Sequence, residues 1–262
     1  MRSASLFWGA VLVILGGLFL LSNLGVIGVD VWGVIWPTVL ILLGIWMLWG
    51  RLFRRQATLE HVNLPLEGAS QARVRLSHGA GRLLVSAGAG ENDLFDGDFG
   101  GGLDLRTRRQ GDQLEAELRS EAGAWPFWGW GWRGFEWNVR FNRRIPMTLK
   151  LETGASESIL DLSELLVTEL NLQSGASSTE LTLPAGAVYT RVKISGGAAS
   201  FKVRVPSGVA ARIQYSGGIA SLDVDELRFP RSGDAFQSPD FATAKNKVEL
   251  NIEVGAASVE VR

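Results

Sequence analysis

Two histidines, His61 and His78, and no cysteine leave this chain few groups that could move a proton or hold a metal at neutral pH. Histidine does that work when carboxylates or further ligands stand at set distances from it. Neither has such neighbours at a suggestive spacing: His61 lies in a linker-like stretch and His78 beside Gly79, so both read as solvated turn residues. Carboxylates gather in Glu91-Asn92-Asp93 and Asp96-Gly97-Asp98, four of them within eight residues. Calcium takes oxygen-rich loops, but the alternating acids and closing glutamate of an EF-hand-like loop are missing. A plain acidic turn is the expectation and a calcium loop the alternative. The many serines stand at fixed places in turns, where hydroxyls bond local backbone. The run from Gly97 to Gly102 lacks the lysine of a phosphate loop. With no acid, base, nucleophile or ligand set assembled, the sequence predicts a non-enzymatic protein with no catalytic residue, metal site or cofactor.

Aromatic composition departs furthest from the ordinary. Five of the ten tryptophans fall within the thirteen residues from Trp125 to Trp137. Trp125, Phe127, Trp128, Trp130 and Trp132 are interleaved with glycine rather than spaced for a strand or helix. Exposed patches of that size usually carry a role. Three readings stay open: the rings cover the open end of the fold, dip into a membrane interface, or bind a partner or glycan. From Trp137 onward the alternation Trp137, Val139, Phe141 is that of a strand, with the Trp137 side chain in the core.

The element that must carry these residues is a repeat. Gly154, Gly175, Gly197 and Gly218 lie 21, 22 and 21 residues apart, and each opens a turn of small residues: Gly-Ala-Ser twice, then Gly-Ala-Ala-Ser and Gly-Ile-Ala-Ser. Apolar side chains stand three and five residues before each glycine and six after it, as Leu151, Leu149 and Leu160 do around Gly154. Spacing by two means a strand with one buried face on either side of the turn. Pro184-Ala185-Gly186 and Pro206-Ser207-Gly208 close two of the units. One unit buries four or five side chains worth roughly 1.5–3 kcal/mol each. Ordering its backbone costs on the order of 1–2 kcal/mol for each of about 21 residues, so a unit is stable only when stacked. Glycine suits such turns through positive φ, and Ala or Ser through close approach.

The same grammar extends outward. Gly79, with Leu76 and Val74 before it and Leu83 and Val85 after it, reads as an N-terminal cap. Arg106, Arg108 and Arg109 alternate with Glu115 and Glu117 across Gln110 to Gln113, a hairpin with charges paired on its wet face. The period breaks after Asp225, where a polar, Pro-containing insertion, 229–245, has a length that is usually functional or disordered. Gly255, with Leu250 and Ile252 before it and Val259 and Val261 after it, marks a terminal strand expected to cap the edge of the stack. The β part therefore divides into an N-terminal portion, 56–148, and a repeat portion, 149–262, which together form a β-solenoid or rack of short stacked strands.

Residues 1–55 are of another kind. No charge occurs from Ala4 to Val29 or from Val31 to Gly50. The second run alone makes about 30 Å of helix, enough to cross a hydrocarbon core. Two spans joined by a tight turn predict a transmembrane helical hairpin, with Trp8, Trp32, Trp36, Trp46 and Trp49 towards the boundaries and Pro37 as a kink. A cleaved signal peptide is the alternative for the first span, but no cleavage-like site follows it. Arg2 precedes the first span, the connecting turn holds Asp30 and no cation, and Arg51, Arg54 and Arg55 follow the second. By the positive-inside rule both ends face the cytoplasm, with the arginines against membrane lipid and the β domain cytoplasmic. A formal charge of −1, from 26 basic and 27 acidic residues, speaks against a nucleic-acid partner.

The run from Leu6 to Gly25, with Leu15-Gly16-Gly17-Leu18-Phe19-Leu20-Leu21-Ser22-Asn23-Leu24-Gly25, followed by Trp36-Pro37-Thr38-Val39-Leu40, resembles the paired transmembrane unit of the LiaI/LiaF-like family. Gly79-Ala80-Gly81-Arg82-Leu83, the stretch from Asp93 to Phe99 and the Gly-Ala-Ser turns resemble its C-terminal toastrack domain. The resemblance implies a bacterial plasma-membrane component of envelope-stress signalling, often acting on a partner histidine kinase, and carries over no active site. A sibling membrane protein or a second copy of the chain are further expected partners. A structural or adhesive envelope protein with a self-assembling or ligand-binding rack is the alternative.

Overall fold

In the stretch from Met147 to Asp161 burial alternates residue by residue, and the alternation changes phase once. Met147, Leu149, Leu151 and Thr153 face inward, then Ser156, Ser158 and Leu160 do. The phase changes at Gly154-Ala155, so the strand turns a corner there. Fifteen residues in a straight line would run about 50 Å. The next strand starts beside Met147, after a link from Asp161 to Val167 that reaches about 20 Å at most. The strand must therefore double back at its corner, and each repeat is one coil with two arms.

The computed structural model describes Trp36, Leu40, Ile41 and residues 59–120 and 135–262. The chain divides into two compact units, Met1–Arg55 and Gln56–Arg262. In the first, Trp36, Leu40 and Ile41 are helical and exposed. Among the described residues no helix is long and apolar enough to cross a membrane. The two expected spans, with Arg2, Arg51, Arg54 and Arg55, lie outside the described residues, as do Trp125, Phe127, Trp128, Trp130 and Trp132.

The second unit is all β among its described residues. Its strands are β1 (Leu59–Pro65), β2 (Gln71–Ala87), β3 (Asp93–Gly100), β4 (Leu103–Gln110), β5 (Gln113–Ser120), β6 (Glu136–Phe141), β7 (Met147–Asp161), β8 (Val167–Thr182), β9 (Tyr189–Arg204), β10 (Ala210–Val224), β11 (Arg231–Ser232), β12 (Ala235–Gln237) and β13 (Lys247–Val261). They form one sheet in the order β1-β3-β6-β2-β7-β8-β9-β13-β10-β12-β11, with β4 on β5 and β5 on β2. From β2 to β10 all pairing is parallel and in register from one corner to the next. The core consists of rows along the stack. Leu76, Leu151, Leu172, Ile194, Ile252 and Tyr215 follow one another in one arm, and Val85, Leu160, Leu181, Val203, Val261 and Val224 in the other.

At the N-terminal end the two arms of β2 are covered separately. β5 pairs with Gln71–Ser77 of the first arm, and β6 pairs with Arg82–Ala87 of the second. β5 and β6 thus cover the two arms of β2 as one more coil would. The hairpin β4–β5 has Arg106 opposite Glu117 and Arg108 opposite Glu115. Glu115 nevertheless turns to Arg73 of β2 at 2.9 Å, while Glu117 accepts from Arg119 Nε of its own strand at 3.0 Å and has Arg75 of β2 at 3.7 Å. Same-strand and parallel neighbours thus take the carboxylates from the antiparallel partner.

The terminal strand corrects the sequence reading. β13 does not cap the edge; it lies inside the stack between β9 and β10, with a parallel ladder on both sides. Its inward side chains Val248, Leu250, Ile252, Val259 and Val261 are all at most 1% exposed, a set that only an interior coil can bury on both arms. The insertion is ordered here and does the capping: β12 pairs with Arg212–Gln214, Phe229 is fully buried, and Arg228 donates to the carbonyls of Val205 and Pro206. The acidic segment is a turn only at Glu91-Asn92; from Asp93 it is strand, with Asp96 and Asp98 on β3 opposite Arg140 and Asn138 of β6.

Candidate functional site

The corners of successive coils line up along the stack in the order Gly79, Gly154, Gly175, Gly197, Gly255, Gly218. The reason for glycine is steric and not conformational, since these six are absent from the positive-φ residues, which include Gly81, Gly101, Gly102 and Gly208. A Cβ added at Gly154 would overlap the carbonyl oxygen of Gly79 outright. At Gly175 it would lie 3.0 Å from the Gly154 oxygen, at Gly255 3.1 Å from that of Gly197, at Gly218 3.2 Å from that of Gly255, and at Gly197 3.4 Å from that of Gly175. From Gly154 onward, each corner accepts the preceding coil's carbonyl where a side chain would start. The expected positive φ is thus replaced by close approach between neighbouring backbones.

An open groove of about 820 Å³ follows this row of corners. Its walls come from the residues two places before each glycine, Ser77, Glu152, Gln173, Ser195 and Glu253. The inward residues beside them are polar in three coils, His78, Thr153 and Ser174, with Thr153 Oγ1 2.9 Å from Ser174 Oγ. The charges of the wall are compensated in place. Lys150 Nζ lies 2.7 Å from Glu152 and Lys193 Nζ 2.9 Å from Glu253. The hydrogen bond from Lys150 holds the Glu152 carboxyl below its ordinary value, and Ser77, which donates to it at 3.1 Å, adds to the effect. The groove therefore offers fixed donors and acceptors on a floor of backbone, with little net charge, which suits a polar partner surface better than an ion.

His78 overturns the reading of a solvated turn residue. It is 2% exposed, its ring lies 5.1 Å from that of Trp137, and neither ring nitrogen has a hydrogen-bond partner among the described residues. Burial lowers its pKa from 6.5 to about 4, so it is neutral at physiological pH. Trp137 is fully buried and donates its Nε1–H to the Gly100 carbonyl at 3.1 Å. His61 is not in a turn either; on β1 its Nδ1 lies 2.8 Å from Asp98 and its Nε2 3.4 Å from Asp96. Asp96 is also bonded by Arg140. Among the described residues no group of three His, Cys, Asp or Glu side chains could hold a metal ion.

Arg119 and Ser120 at the end of β5 line the groove, and the carbonyl of Phe135, just before β6, accepts from the Arg82 N–H at 3.1 Å over Gly81. The apolar positions around each glycine do not reveal the wall residues. Their signal was a polar residue at the same offset in every repeat.

Comparison with known proteins matches both parts of the chain. Residues 54–204 match the N-terminal domain of toast_rack, DUF2154, and residues 6–48 match the LiaI-LiaF-like transmembrane region. No curated protein sequence matches significantly. Among solved structures, a protein from Clostridium sporogenes ATCC 15579 described as a cell adhesion protein is 23% identical over 78% of this chain and 98% of its own, with a TM-score of 0.71, which shows a shared fold. One from Bacteroides fragilis NCTC 9343 described as an adhesin is 8% identical over 78% of this chain and 97% of its own, at a TM-score of 0.32 too low to support an argument. Because the toast_rack match covers more than half of the residues and the transmembrane match precedes it on the same polypeptide, the chain belongs to the toast_rack family and is a LiaF-like membrane protein.

Proposed function

We propose that this protein is a non-enzymatic component of bacterial envelope-stress sensing that works by binding a partner protein through its rack. The observation that carries the reading is the joining of a LiaI-LiaF-like transmembrane region to a toast_rack domain in one chain. The corner groove supports it, because a compensated polar wall on a rigid backbone floor is equipped for recognition and not for bond making. In this reading residues 1–55 form a two-span anchor, Arg2, Arg51, Arg54 and Arg55 hold both its ends on the cytoplasmic side, and the rack meets a sensor histidine kinase or a sibling membrane protein there. Trp125, Phe127, Trp128, Trp130 and Trp132 are the first residues to test for partner or membrane contact.

The test is gentle crosslinking in membranes followed by identification of the captured protein, with protease added to intact and then opened cells carrying a tag after Arg262. Capture of a kinase and protection until opening are the expected results. Cleavage on intact cells would place the rack outside and favour a second reading, an adhesive or envelope-ligand protein. The adhesion description of the Clostridium sporogenes protein gives that reading its motive, on a likeness of fold alone.

A further inference from the structure

The two arms of the stack are finished differently at the β10 end. The first arm is closed by β12, which takes the free edge of Arg212–Gln214. In the second arm, Ser221–Val224 pairs with Ser258–Val261 of β13 on one side, and no strand among the described residues pairs on the other. Its inward side chains show the same opening. Leu222 and Val224 are only half-buried, whereas Val259 and Val261, which occupy the same rows one coil further in, are 1% and 0% exposed. Leu227, just beyond this strand, is 99% exposed.

The opposite end of the same arm is also open. β1 pairs with β3 alone among the described residues, and its inward Val62 and Leu64 are half-buried against the core. β1 is antiparallel to β3, and β3 is antiparallel to β6, so β1 runs in the direction of β6 and of every later coil. The two free edges therefore lie in the same half of the sheet and point the same way. Each brings two half-buried apolar side chains on its inner face, with the exposed Glu60 preceding them on that of β1. Their outer faces, His61 and Asn63 on one and Ser221 and Asp223 on the other, contain no like-charged pair. β1 keeps its one proline, Pro65, for its last position and leaves the run before it able to donate.

We propose that the rack self-associates head to tail, β1 of one copy pairing in parallel with the second arm of β10 of the next. The occupant of each edge is a second copy of this chain because the two edges complement each other in direction, arm and inner face. Neither would complement itself in this way: two β10 edges could meet only antiparallel, leaving β1 uncovered. One short strand pair buries less than a standard interface of about 1,200–2,000 Å². The association therefore depends on copies being held in one membrane, where effective concentration is high. Such a heterologous contact does not close on itself and extends along a row.

The absence of cysteine makes the test direct. Full-length Asn63→Cys, Ser221→Cys, the double variant, and an Asn63→Cys/Lys202→Cys control, in which Lys202 lies on a mid-stack coil, are treated in membranes with a short bismaleimide. The expected result is a ladder of dimers, trimers and higher products from the Asn63/Ser221 double variant only, with each protein retaining the parent's melting profile. Dimers from Ser221→Cys alone, products of the double variant that stop at dimer, an equal ladder from the control, or no product would each overturn the proposal.

Discussion

The corner glycines are graded by the space their Cβ atoms would need, and that grading fixes an order of mutational cost. Gly154→Ala pushes a methyl into the Gly79 carbonyl, where the nearest atoms are all backbone and no flexible side chain can yield. Overpacking of that kind costs about 1–3 kcal/mol, which lowers the melting temperature by roughly 2–12 °C in a domain of this size. Gly197→Ala meets its neighbour at 3.4 Å and is expected to stay within about 1 kcal/mol of the parent. Equal melting temperatures for the two variants would contradict the steric account. His78 provides a second test. Its folded pKa, lowered from 6.5 to about 4, means that the unfolded chain binds a proton over that interval while the folded chain does not. Its contribution is complete above about pH 6.5, falls as the pH drops towards 4, and levels off below, a loss of about 3 kcal/mol. His78→Phe, which keeps an aromatic ring against Trp137, is expected to flatten stability over that interval in urea titrations at several pH values. The burial of His78 was not legible in the sequence because one position before a corner glycine holds Thr, Ser, Gly and Val in other coils, a row with no apolar signature.

At the scale of the element, period-two patterning around regularly spaced glycines made the arms, the corners and the β4–β5 hairpin readable. Stack order was not readable in the same way. Coils with like rows can be placed in any sequence without changing the pattern, and what puts β13 inside is the completeness of its apolar rows on both arms. The insertion was opaque for a related reason: three buried residues, Phe229, Ala235 and Ser238, and a three-residue strand do its work, too little to make a period. Leu250 and Leu222 separate interior from end. Leu250→Ala, in a row 2% exposed or less on both sides, should cost about 2–5 kcal/mol by urea denaturation, and Leu222→Ala, half-buried, below about 1.5 kcal/mol. Comparable losses at the two positions would mean that β10 is an interior coil in solution.

For the whole molecule, the groove running past several coils makes its wall a surface that can be altered without touching the core. Gln173→Trp, two residues before a corner and pointing outward, is expected to leave the melting profile within about 0.5 kcal/mol of the parent and to reduce capture of the partner at least severalfold. Undiminished capture would move recognition away from the corners. Gly175→Val is the opposite kind of change: it should unfold the stack, because the branched side chain is forced against the Gly154 carbonyl.

The position of β13 also separates the order of synthesis from the order in space. A ribosome makes β10 before β13, so for a time the growing chain contains β9 and β10 with nothing yet able to stand between them. β9 offers β10 the ladder that β13 will later hold, and Ser-Gly-Gly-Ala-Ala-Ser and Ser-Gly-Gly-Ile-Ala-Ser are near copies. Wherever β10 anneals onto β9 before β13 is made, β13 has to displace that pairing, so that completing the rack means inserting a strand between two walls that already exist.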